Sequence, residues 1–572
     1  MLKKIQLTSG NVTPRINANA GRNGGLCSLV NLILFPFSLL FHPSQLHPAD
    51  LELQILHLWD NAPIQHESRA TPVSFSRIAY LLSNPTLVDT TGQAYARADW
   101  YGYLDAASPA NLPLHGLPDR SFKELRFSIG LDAQTNSTDP NQYPPRHPLN
   151  PVHNNLHWSW QGGYIFLALE GYRKQTGFTY HLGNAHNRMD IRIPVQLDLS
   201  RPTRLQLHFH LDQVFTDLDP TRTSTHGRKG DAFATKLKTA VENAFQVGTP
   251  QTLATLPKPK PSHKKPGIGT PYRFQVKSGF PLPQLPTDYP LTNERVALGE
   301  KLFNDPNLAA DNKTSCKTCH LKAHAFAEPK PVSVGIDSGV GFRNSMPLHN
   351  MAWKKKFFWD GRATRLRDQA LEAIESPGEM AANLDTLTDY LTTHPDYPAL
   401  FESAFGNKLA TPENVGIAIE QFVLTLTSMD SKFDHAQRGQ AQLTPQEQRG
   451  FELFFTEYAP RRQLYGADCF HCHGGPFFSD FSFHHTGLPY TDGQKFATPS
   501  LRNLPLTAPY MHDGRFKTLE QVLDHYTSGL QRSPHLAPSL AKHRGNGIPL
   551  KPDDKAALIA FLGTLVDPKY RK

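Results

Sequence analysis

Two short stretches of the chain carry side chains that could hold a reactive metal group. Both read Cys-x-x-Cys-His, with Cys316, Cys319 and His320 in the first and Cys469, Cys472 and His473 in the second. In this pattern the two thiols bond the edge of a haem, and the histidine that follows ligates its iron from one side. A zinc site or a disulfide is the competing interpretation, but zinc needs four converging ligands and does not explain a histidine after each pair. The motifs therefore predict two covalently bound c-type haems.

The elements that must position the two motifs occur twice. A helical segment from Glu294 to Phe303 precedes the first motif, and a segment from Thr444 to Phe454 precedes the second. The second segment opens with the pattern Thr-Pro-x-Glu, a capping box with proline at the first helical position. The repeat predicts an all-α region over residues 269–572, built from two cytochrome-c-like units at about 285–435 and 440–572.

The preceding part of the chain, residues 49–247, has a different pattern. Apolar and polar side chains alternate from Leu51 to Ile55, from Ile191 to Leu199 and from Leu205 to Leu211. This period of two, with proline, glycine and asparagine between the runs, indicates an antiparallel β domain that forms a sandwich. A helical pattern from Ala232 to Phe245 closes the domain.

A boundary between the two halves is marked by residues 248–268. This stretch is rich in proline and lysine and has nothing to bury, so it predicts an extended, semi-rigid linker.

Residues 1–48 predict a signal peptide or a membrane anchor. Basic residues precede an apolar run from Leu26 to Phe41, which Asn31 and Pro36 interrupt. The run is short for a membrane crossing, and no clear cleavage site follows it, so a cleaved signal and an uncleaved anchor both stay open. Either one places the body of the protein outside the cytoplasm, in the periplasm.

The overall composition excludes some classes of protein. The chain has 572 residues, enough for two or more domains, and a net charge of +8. Its basic residues are scattered and form no nucleic-acid-binding motif, so no nucleic-acid partner is expected. Four of its five cysteines lie in the haem motifs, which leaves Cys27 alone and predicts no disulfide within the chain.

The sequence around the haem motifs resembles a known family. The segments that carry the resemblance are Arg343 to Pro347, Phe358 to Ala363, Gln369 to Ala370, Pro377 to Met380, Thr498 to Asn503 and Thr507 to Gly514. Together with both haem motifs, and in the same order, they resemble the bacterial di-haem cytochrome c peroxidases, a family that includes MauG and MbnH.

The resemblance implies that the first haem is the site that reacts with hydrogen peroxide. His320 would be its proximal ligand, Glu379 the distal acid and Gln369 a neighbouring pocket residue. A pocket carboxylate suits this reaction, because cleavage of the O–O bond requires a proton to move from one oxygen to the other. Conventional members of the family carry a blocking histidine in the loop that here runs from Ser333 to Ser338, and this loop has none. The first haem is therefore expected to be five-coordinate and open.

The resemblance also implies an unusual ligand for the second haem. His473 would be the proximal ligand, and the family position fourteen residues after His512 is Tyr526. MauG and its relatives use tyrosine there, and an oxygen ligand stabilises a highly oxidised iron better than a thioether does. Met511 or His525 could ligate instead.

Two further features follow from the same resemblance. Trp359 matches the tryptophan that lies between the two haems and couples them. Asn344, Thr507 and Pro509 match positions that offer oxygen ligands to a calcium ion between the haems, and oxygen ligands suit this hard cation.

The β half resembles MbnP, a family of periplasmic copper-binding proteins. The segments that carry this resemblance are Phe75 to Asn84, Leu125 to Asp132 and Trp158 to Phe166. MbnP and MbnH are usually separate partners, and MbnH oxidises a tryptophan of MbnP to kynurenine. Trp158 or Trp160 would be that tryptophan here, although either could instead belong to the core of the sandwich. The cysteines of many MbnP-like proteins are absent.

A copper site is also predicted from the residues themselves. His208 and His210 alternate with apolar neighbours, so both imidazoles project from one face of a strand, and imidazole is a good ligand for copper. His157 and His181 could join them. Two solvated histidines on the face of a strand are the alternative.

The predicted function is that of a MauG- or MbnH-type di-haem peroxidase. Hydrogen peroxide would convert the haem pair to a bis-Fe(IV) state, which would oxidise a tryptophan in its own or another MbnP-like domain. The first alternative is a conventional cytochrome c peroxidase that takes electrons from a small redox protein. The second is a copper-binding protein whose di-haem half only transfers electrons.

Overall fold

Two β-sheets packed face to face form the amino-terminal half. Tyr80 in one sheet and Phe209 in the other meet edge to face, with ring centroids 6.0 Å apart, inside a single core of buried apolar side chains. The smaller sheet contains β1 (Leu51–Trp59), β2 (Ala62–Pro63), β6 (Leu112–Leu114), β11 (Thr203–His210), β13 (Phe245–Val247) and β14 (Gln251–Thr252). The larger sheet contains β3 (Val73–Asp89), β4 (Ala94–Ala96), β5 (Tyr101–Asp105), β7 (Ser121–Ile129), β8 (Ile165–Arg173), β9 (Thr176–Gly183), β10 (Met189–Asp198) and β12 (Ser224–Thr225).

These observations come from a computed structural model. It describes residues 50–64, 71–139, 142–158, 163–253, 268–336, 341, 343–489, 491 and 493–571, all of which belong to one compact unit of the chain. The predicted signal or anchor region, Cys27, Trp160 and most of the predicted linker lie outside the described residues.

The predicted sandwich is confirmed, but it is not purely antiparallel. The two strands β1 and β11 pair in parallel, with Leu51 opposite Thr203 and Leu58 opposite His210. The alternation of apolar and polar residues fixes which side chains face the core, but it carries no information on strand direction. For this reason the sequence did not predict the parallel pair. The β half also extends beyond residue 247, because β14 pairs with β11.

Short helices connect or flank the strands of the sandwich. The predicted closing helix is present over Ala232–Asn243, and the strand β13 follows it directly. Its buried face includes Phe233, Leu237 and Val241. The helices of this half are α1 (Ala133–Asn136), α2 (Pro151–Asn154), α3 (Leu211–Thr216) and α4 (Ala232–Asn243).

The carboxyl-terminal half is helical with long loops, as predicted. Two pairs of very short strands interrupt it, β15 (Tyr458–Ala459) with β16 (Leu464–Tyr465) and β17 (Phe483–His484) with β18 (Phe496–Ala497). The helices are α5 (Asn293–Asn304), α6 (Cys316–Cys319), α7 (Leu366–Glu375), α8 (Leu384–Thr393), α9 (Tyr397–Phe405), α10 (Pro412–Leu424), α11 (Lys432–Gln437), α12 (Pro445–Phe454), α13 (Leu519–Asp524), α14 (Pro538–Ala541) and α15 (Pro552–Gly563). None of the helices in the described ranges has the length and hydropathy that a membrane crossing requires.

The repeat predicted from the sequence is visible in how the helices pack. α5 crosses α10 where Gly299 lies against the carbonyl oxygen of Ala418, and α12 crosses α15 where Gly450 lies against the carbonyl oxygen of Ala557. A Cβ atom on either glycine would overlap that oxygen, so glycine permits the close approach. Thr444 caps α12 in the predicted capping box with Glu447.

The β half packs directly on the second haem unit. Gly177 of β9 lies against the backbone of Pro538 in α14, and the Asn155 side chain donates a 2.9 Å hydrogen bond to the carbonyl of Asp480. The contact of β9, residues 155–158 and His226 with the residues around 455–543 is called the domain junction.

Candidate haem sites and the domain junction

The first haem motif is held in a short helix whose histidine has a defined orientation. Cys316 and Cys319 are the ends of α6, and Ser315 caps the helix. His320 follows, and its Nδ1–H donates a 2.8 Å hydrogen bond to the carbonyl of Phe326. This bond fixes the tautomer and leaves Nε2 as the nitrogen available to an iron.

The second motif repeats this arrangement. His473 donates from Nδ1 to the carbonyl of Phe478 at 3.0 Å, so its Nε2 is likewise available. Burial raises the pKa of Cys316 and of Cys469 to about 12, because the protein shields both thiols from water. Both groups of residues therefore fit a covalently bound haem with an imidazole ligand.

Glu379 lies just beyond α7, next to the first haem motif. Its backbone carbonyl accepts a 3.1 Å hydrogen bond from the amide of Ile336, which joins it to the loop after the motif. The residue as a whole is exposed, yet desolvation by the surrounding chain raises the pKa of its carboxyl group, and Arg362 partly opposes the shift. A raised pKa is what a group that takes up and releases a proton needs. Gln369 lies half-buried on α7.

Tyr526 lies close to the thiols of the second haem motif. It belongs to a π-helical turn, His525–Gly529, that continues α13, and such turns are frequent at functional sites. The pKa of its phenol is raised by burial and also by the neighbouring Cys472 and Cys469. His525 faces elsewhere, since its Nε2 lies 3.0 Å from the carbonyl of Thr486. Of His525 and Tyr526, Tyr526 is the one that these contacts place beside the motif.

Trp359 is buried between the two haem units. Its indole N–H donates a 2.7 Å hydrogen bond to the carbonyl of Asn344, and its own carbonyl accepts a 2.8 Å bond from the amide of Ala497. Asn344 follows the first motif and Ala497 follows the second. The tryptophan is therefore hydrogen-bonded to both units.

The predicted calcium ligands occupy the same region. The Asn344 amide donates to the carbonyl of Lys330 at 2.9 Å, which leaves its side-chain oxygen as the group available to a cation. The Asn344 backbone amide bonds the carbonyl of His512 at 2.8 Å, so the segment containing Thr507 and Pro509 lies nearby. The donor set fits a hard cation.

The predicted copper ligands His208 and His210 lie together on β11. Their ring centroids are 6.2 Å apart, but His208 Nε2 lies 3.1 Å from the side-chain oxygen of Gln206. Within the described ranges, no third histidine, cysteine or carboxylate ligand completes a group with this pair. His157 packs edge-on against Tyr164 instead of joining them. The pair stays a predicted copper site with two ligands.

Trp158 lies at the domain junction. It lines a cavity of about 190 Å³ together with Phe470 and His471, the two residues between the cysteines of the second haem motif. Its ring centroid is 6.5 Å from that of His226, and the ring also packs on Gly183. The fold therefore places one of the two candidate tryptophans at a cavity that the second haem motif also lines, while the ring packs on the core of the sandwich.

Comparisons with known proteins identify the family of each half of the chain. Residues 293–442 match the family described as di-haem cytochrome c peroxidase. The methylamine utilization protein MauG of Methylorubrum extorquens is 34% identical over 316 residues, covering 51% of this chain and 83% of that protein. This chain belongs to the di-haem cytochrome c peroxidase family. As a member, it is a di-haem peroxidase with two c-type haems.

Further similarities extend over both halves of this di-haem peroxidase. Cytochrome c551 peroxidase of Nitrosomonas europaea is 32% identical over 254 residues, covering 41% of this chain and 73% of that protein. Residues 48–229 match the MbnP family, so the β half is an MbnP domain. A crystal structure of a MauG-like protein associated with microbial copper homeostasis has 32% identity and a TM-score of 0.47, and the match covers 53% of this chain and 97% of that one.

The sequence did not predict the contacts that this di-haem peroxidase makes across its domain junction. His226 and His471 approach His181 there, and neither of the first two had been singled out. The only signal was the position of His471 inside a haem motif. No spacing connects it to two histidines of the β half.

Proposed function

We propose that this di-haem peroxidase uses hydrogen peroxide to oxidise Trp158 of its own MbnP domain to kynurenine. The observation that carries the proposal is the cavity that Trp158 shares with Phe470 and His471 of the second haem motif. Because substrate and enzyme are parts of one chain, the tryptophan is held beside the motif without a separate encounter. A second MbnP-like domain could be oxidised at the same surface only if the internal one moved away.

The first haem unit would receive the peroxide. Bound haem supplies the two-electron reduction of peroxide and stores the oxidising equivalents. Glu379 would take the proton from the oxygen nearer the iron and deliver it to the oxygen that leaves as water. Gln369, on the adjacent helix α7, would contact the peroxide in the same pocket.

The second haem unit would transmit the oxidising equivalents to the substrate. Trp359, hydrogen-bonded to both units, offers a polarisable ring between them. Tyr526 would provide an oxygen ligand, which stabilises an oxidised iron better than a thioether. Calcium held by Asn344, Thr507 and Pro509 would fix the segments that carry the two units relative to each other.

The overall reaction balances with peroxide as the only oxidant. Two molecules of hydrogen peroxide supply one oxygen atom to C2 and one to C3 of the indole while the C2–C3 bond breaks. Their other two oxygen atoms leave as two molecules of water. The product is N-formylkynurenine, and its hydrolysis releases formate and gives kynurenine. The predicted export region and the covalent haems support a periplasmic location for this chemistry.

The experiment is peptide mapping by mass spectrometry before and after hydrogen peroxide is added to the purified protein with both haems. We expect the masses of N-formylkynurenine and kynurenine at Trp158. The peptide that contains Trp100, whose N–H is bonded to the carbonyl of Pro113, is the internal reference and is expected to stay unchanged.

The variant Trp158→Phe should consume peroxide without forming the modified residue. If the wild-type protein instead oxidises a reduced c-type cytochrome rapidly and leaves Trp158 intact, the protein is a conventional cytochrome c peroxidase. Modification confined to Trp160 would move the target by two residues and overturn the assignment of Trp158.

A further inference from the structure

Three histidines from separate parts of the chain converge at the domain junction. His181 comes from β9, His226 from the segment after β12, and His471 from the second haem motif. One ring nitrogen of each lies within 4.8 Å of the others. The side chains are 5%, 15% and 3% exposed, so the group is almost closed to solvent.

Each of the three rings has one nitrogen without a hydrogen-bond partner. These atoms are Nδ1 of His181, Nε2 of His226 and Nδ1 of His471, and all three are buried. A buried polar atom normally finds a partner, because leaving it unpaired costs its full desolvation. Three rings that meet at one place, each with one unpaired nitrogen, fit a shared partner.

The other nitrogen of each ring faces a carboxylate. His181 Nε2 lies 3.0 Å from Glu170, His226 Nδ1 lies 3.4 Å from Glu457, and His471 Nε2 lies 3.2 Å from Asp468. A carboxylate behind each imidazole is the usual support of a metal-bound histidine, because it orients the ring and fixes the proton on the outer nitrogen.

Several basic side chains adjoin the cluster: Arg77, Arg228 and Arg462 line the same cavity, and Lys542 contacts His471. Lys542 Nζ lies 2.8 Å from His471 Nε2, but it also lies 3.0 Å from Asp468 and 3.4 Å from Glu457. With an ion on His471 Nδ1, Nε2 would carry the proton and donate it to Asp468. Lys542 would then turn away from Nε2 toward the carboxylate oxygens of Asp468 and Glu457.

The charges around the cluster select the kind of ion. The supporting carboxylates already face basic groups, with Glu170 3.3 Å from Arg77, Glu457 against Arg462, and Asp468 beside Lys542. They are therefore not free to bind a hard cation such as calcium or magnesium. Three neutral imidazoles suit copper or zinc.

We infer that His181, His226 and His471 form a metal site for a copper or zinc ion, shared between the MbnP domain and the second haem unit. This site differs from the predicted pair His208 and His210, and it is complete only when both halves are docked. His471 lies between Cys469 and Cys472, so the ion would be held directly beside the attachment of the second haem.

The test uses the full-length protein with both haems and no peroxide, so that its result is independent of Trp158 oxidation. The protein is stripped with a chelator and equilibrated with either Zn²⁺ or Cu⁺. The ratio of bound zinc or copper to haem iron is then measured by elemental mass spectrometry. We expect one ion per chain, with three imidazole nitrogens in the X-ray absorption spectrum, and competition between the two ions identifies the preferred one.

The variants separate ligand loss from general damage. His226→Ala and His181→Ala lie outside the haem motif and should lose the ion while both haems remain. Glu170→Gln should weaken binding by about 10–100-fold, the usual effect of losing a supporting carboxylate. His435→Ala, a half-buried histidine of α11 that faces Gln440 and Asp430, is the matched control and should keep the ion.

Two results would overturn the inference. One is that neither ion binds the wild-type protein at one per chain. The other is that His226→Ala retains the ion. If the double variant His208→Ala and His210→Ala then loses it, the ion is bound by that pair and not by the three-histidine cluster.

Discussion

A single hydrogen bond to a backbone carbonyl orients each proximal histidine. His320 bonds Phe326, six residues later, and His473 bonds Phe478, five residues later. The carbonyls are supplied by the turns that follow the motifs, so the local chain sets the tautomer of each ring. Such a bond makes the imidazole a stronger ligand, because the Nδ1 proton is partly shared with the carbonyl.

At the scale of single residues, the first prediction concerns Glu379. The variant Glu379→Gln cannot accept a proton, so we expect the reaction with peroxide to slow by about 10²–10⁴-fold. In the wild-type protein the carboxylate must be ionised to act as the base. Since its pKa is raised, the rate should fall on acidification at a higher pH than an ordinary glutamate would give. Stopped-flow absorption of the haems measures both effects.

Glu375→Gln is the control for this prediction. Glu375 is an exposed residue of α7, and its replacement should leave the rate and its pH dependence unchanged. If the Glu379→Gln protein keeps the wild-type rate and pH dependence of the reaction with peroxide, the proposed proton transfer is excluded.

The second prediction concerns the ligand of the second haem. Tyr526→Met replaces a phenol oxygen by a thioether, and the identity of axial ligands moves haem potentials over about 0.8 V. We expect a higher reduction potential for one haem and less kynurenine at Trp158. Spectroelectrochemical titration provides the measurement.

Tyr510→Phe serves as the comparison, because Tyr510 is buried in the same unit and bonds only the carbonyl of Leu504 through its hydroxyl. This variant should keep both potentials. Unchanged potentials in Tyr526→Met would mean that another residue ligates the iron.

At the scale of elements, the two haem units depend on the same helix crossing. In each unit the helix before the haem motif contacts a later helix through a glycine, Gly299 on α5 and Gly450 on α12. The backbones are too close for any side chain at these positions. In each unit the crossing joins the helix before the haem motif to a helix late in the unit, α10 or α15.

The third prediction follows from this crossing. Gly299→Ala or Gly450→Ala would place a methyl group on a backbone oxygen, and overpacking of this kind costs about 1–3 kcal/mol. We expect a lower midpoint of thermal unfolding for each variant, followed by circular dichroism.

Gly563→Ala provides a matched control on α15, where no atom lies near the added methyl group. Alanine is the better helix former by about 0.5–1 kcal/mol, so this variant should be unchanged or more stable. Equal losses in all three variants would contradict the role given to the crossings.

At the scale of the whole molecule, the contacts of the domain junction fix the MbnP domain on the second haem unit. Gly177 and Asn155 make close contacts on the β side, and Lys542 is buried among carboxylates on the other side. These contacts are specific and largely polar. They hold Trp158 and the three-histidine cluster at the second motif.

The fourth prediction separates docking from peroxide chemistry. Gly177→Val places a branched side chain on the backbone of Pro538, so the β half should no longer seat fully on the second unit. We expect peroxide consumption to continue while kynurenine formation at Trp158 falls. Peroxide assays and peptide mapping on the same sample measure the two effects.

Thr176→Val changes the exposed neighbour of Gly177 on the same strand and should affect neither quantity. Full modification of Trp158 in Gly177→Val would mean that oxidation does not require the docked arrangement.

Much of this molecule follows from its local patterns. The haem motifs, the capped helix at Thr444 and the alternating strand from Ile191 each lie within a short window, because a bonding pattern or a period of two or 3.6 residues acts over a few neighbours. The two halves and their fold classes follow from the same periods. The parallel pairing of β1 with β11 does not, since both directions bury the same side chains.

The sequence by itself determined two haem-binding units joined to a β domain, and family resemblance then indicated Glu379, Trp359 and Tyr526. Only the tertiary structure decided that Trp158 shares a cavity with the second haem motif and that three histidines meet there. The reason is physical. The cluster draws His181, His226 and His471 from three distant segments, and their approach depends on the packing of one whole domain against another, which no local spacing encodes.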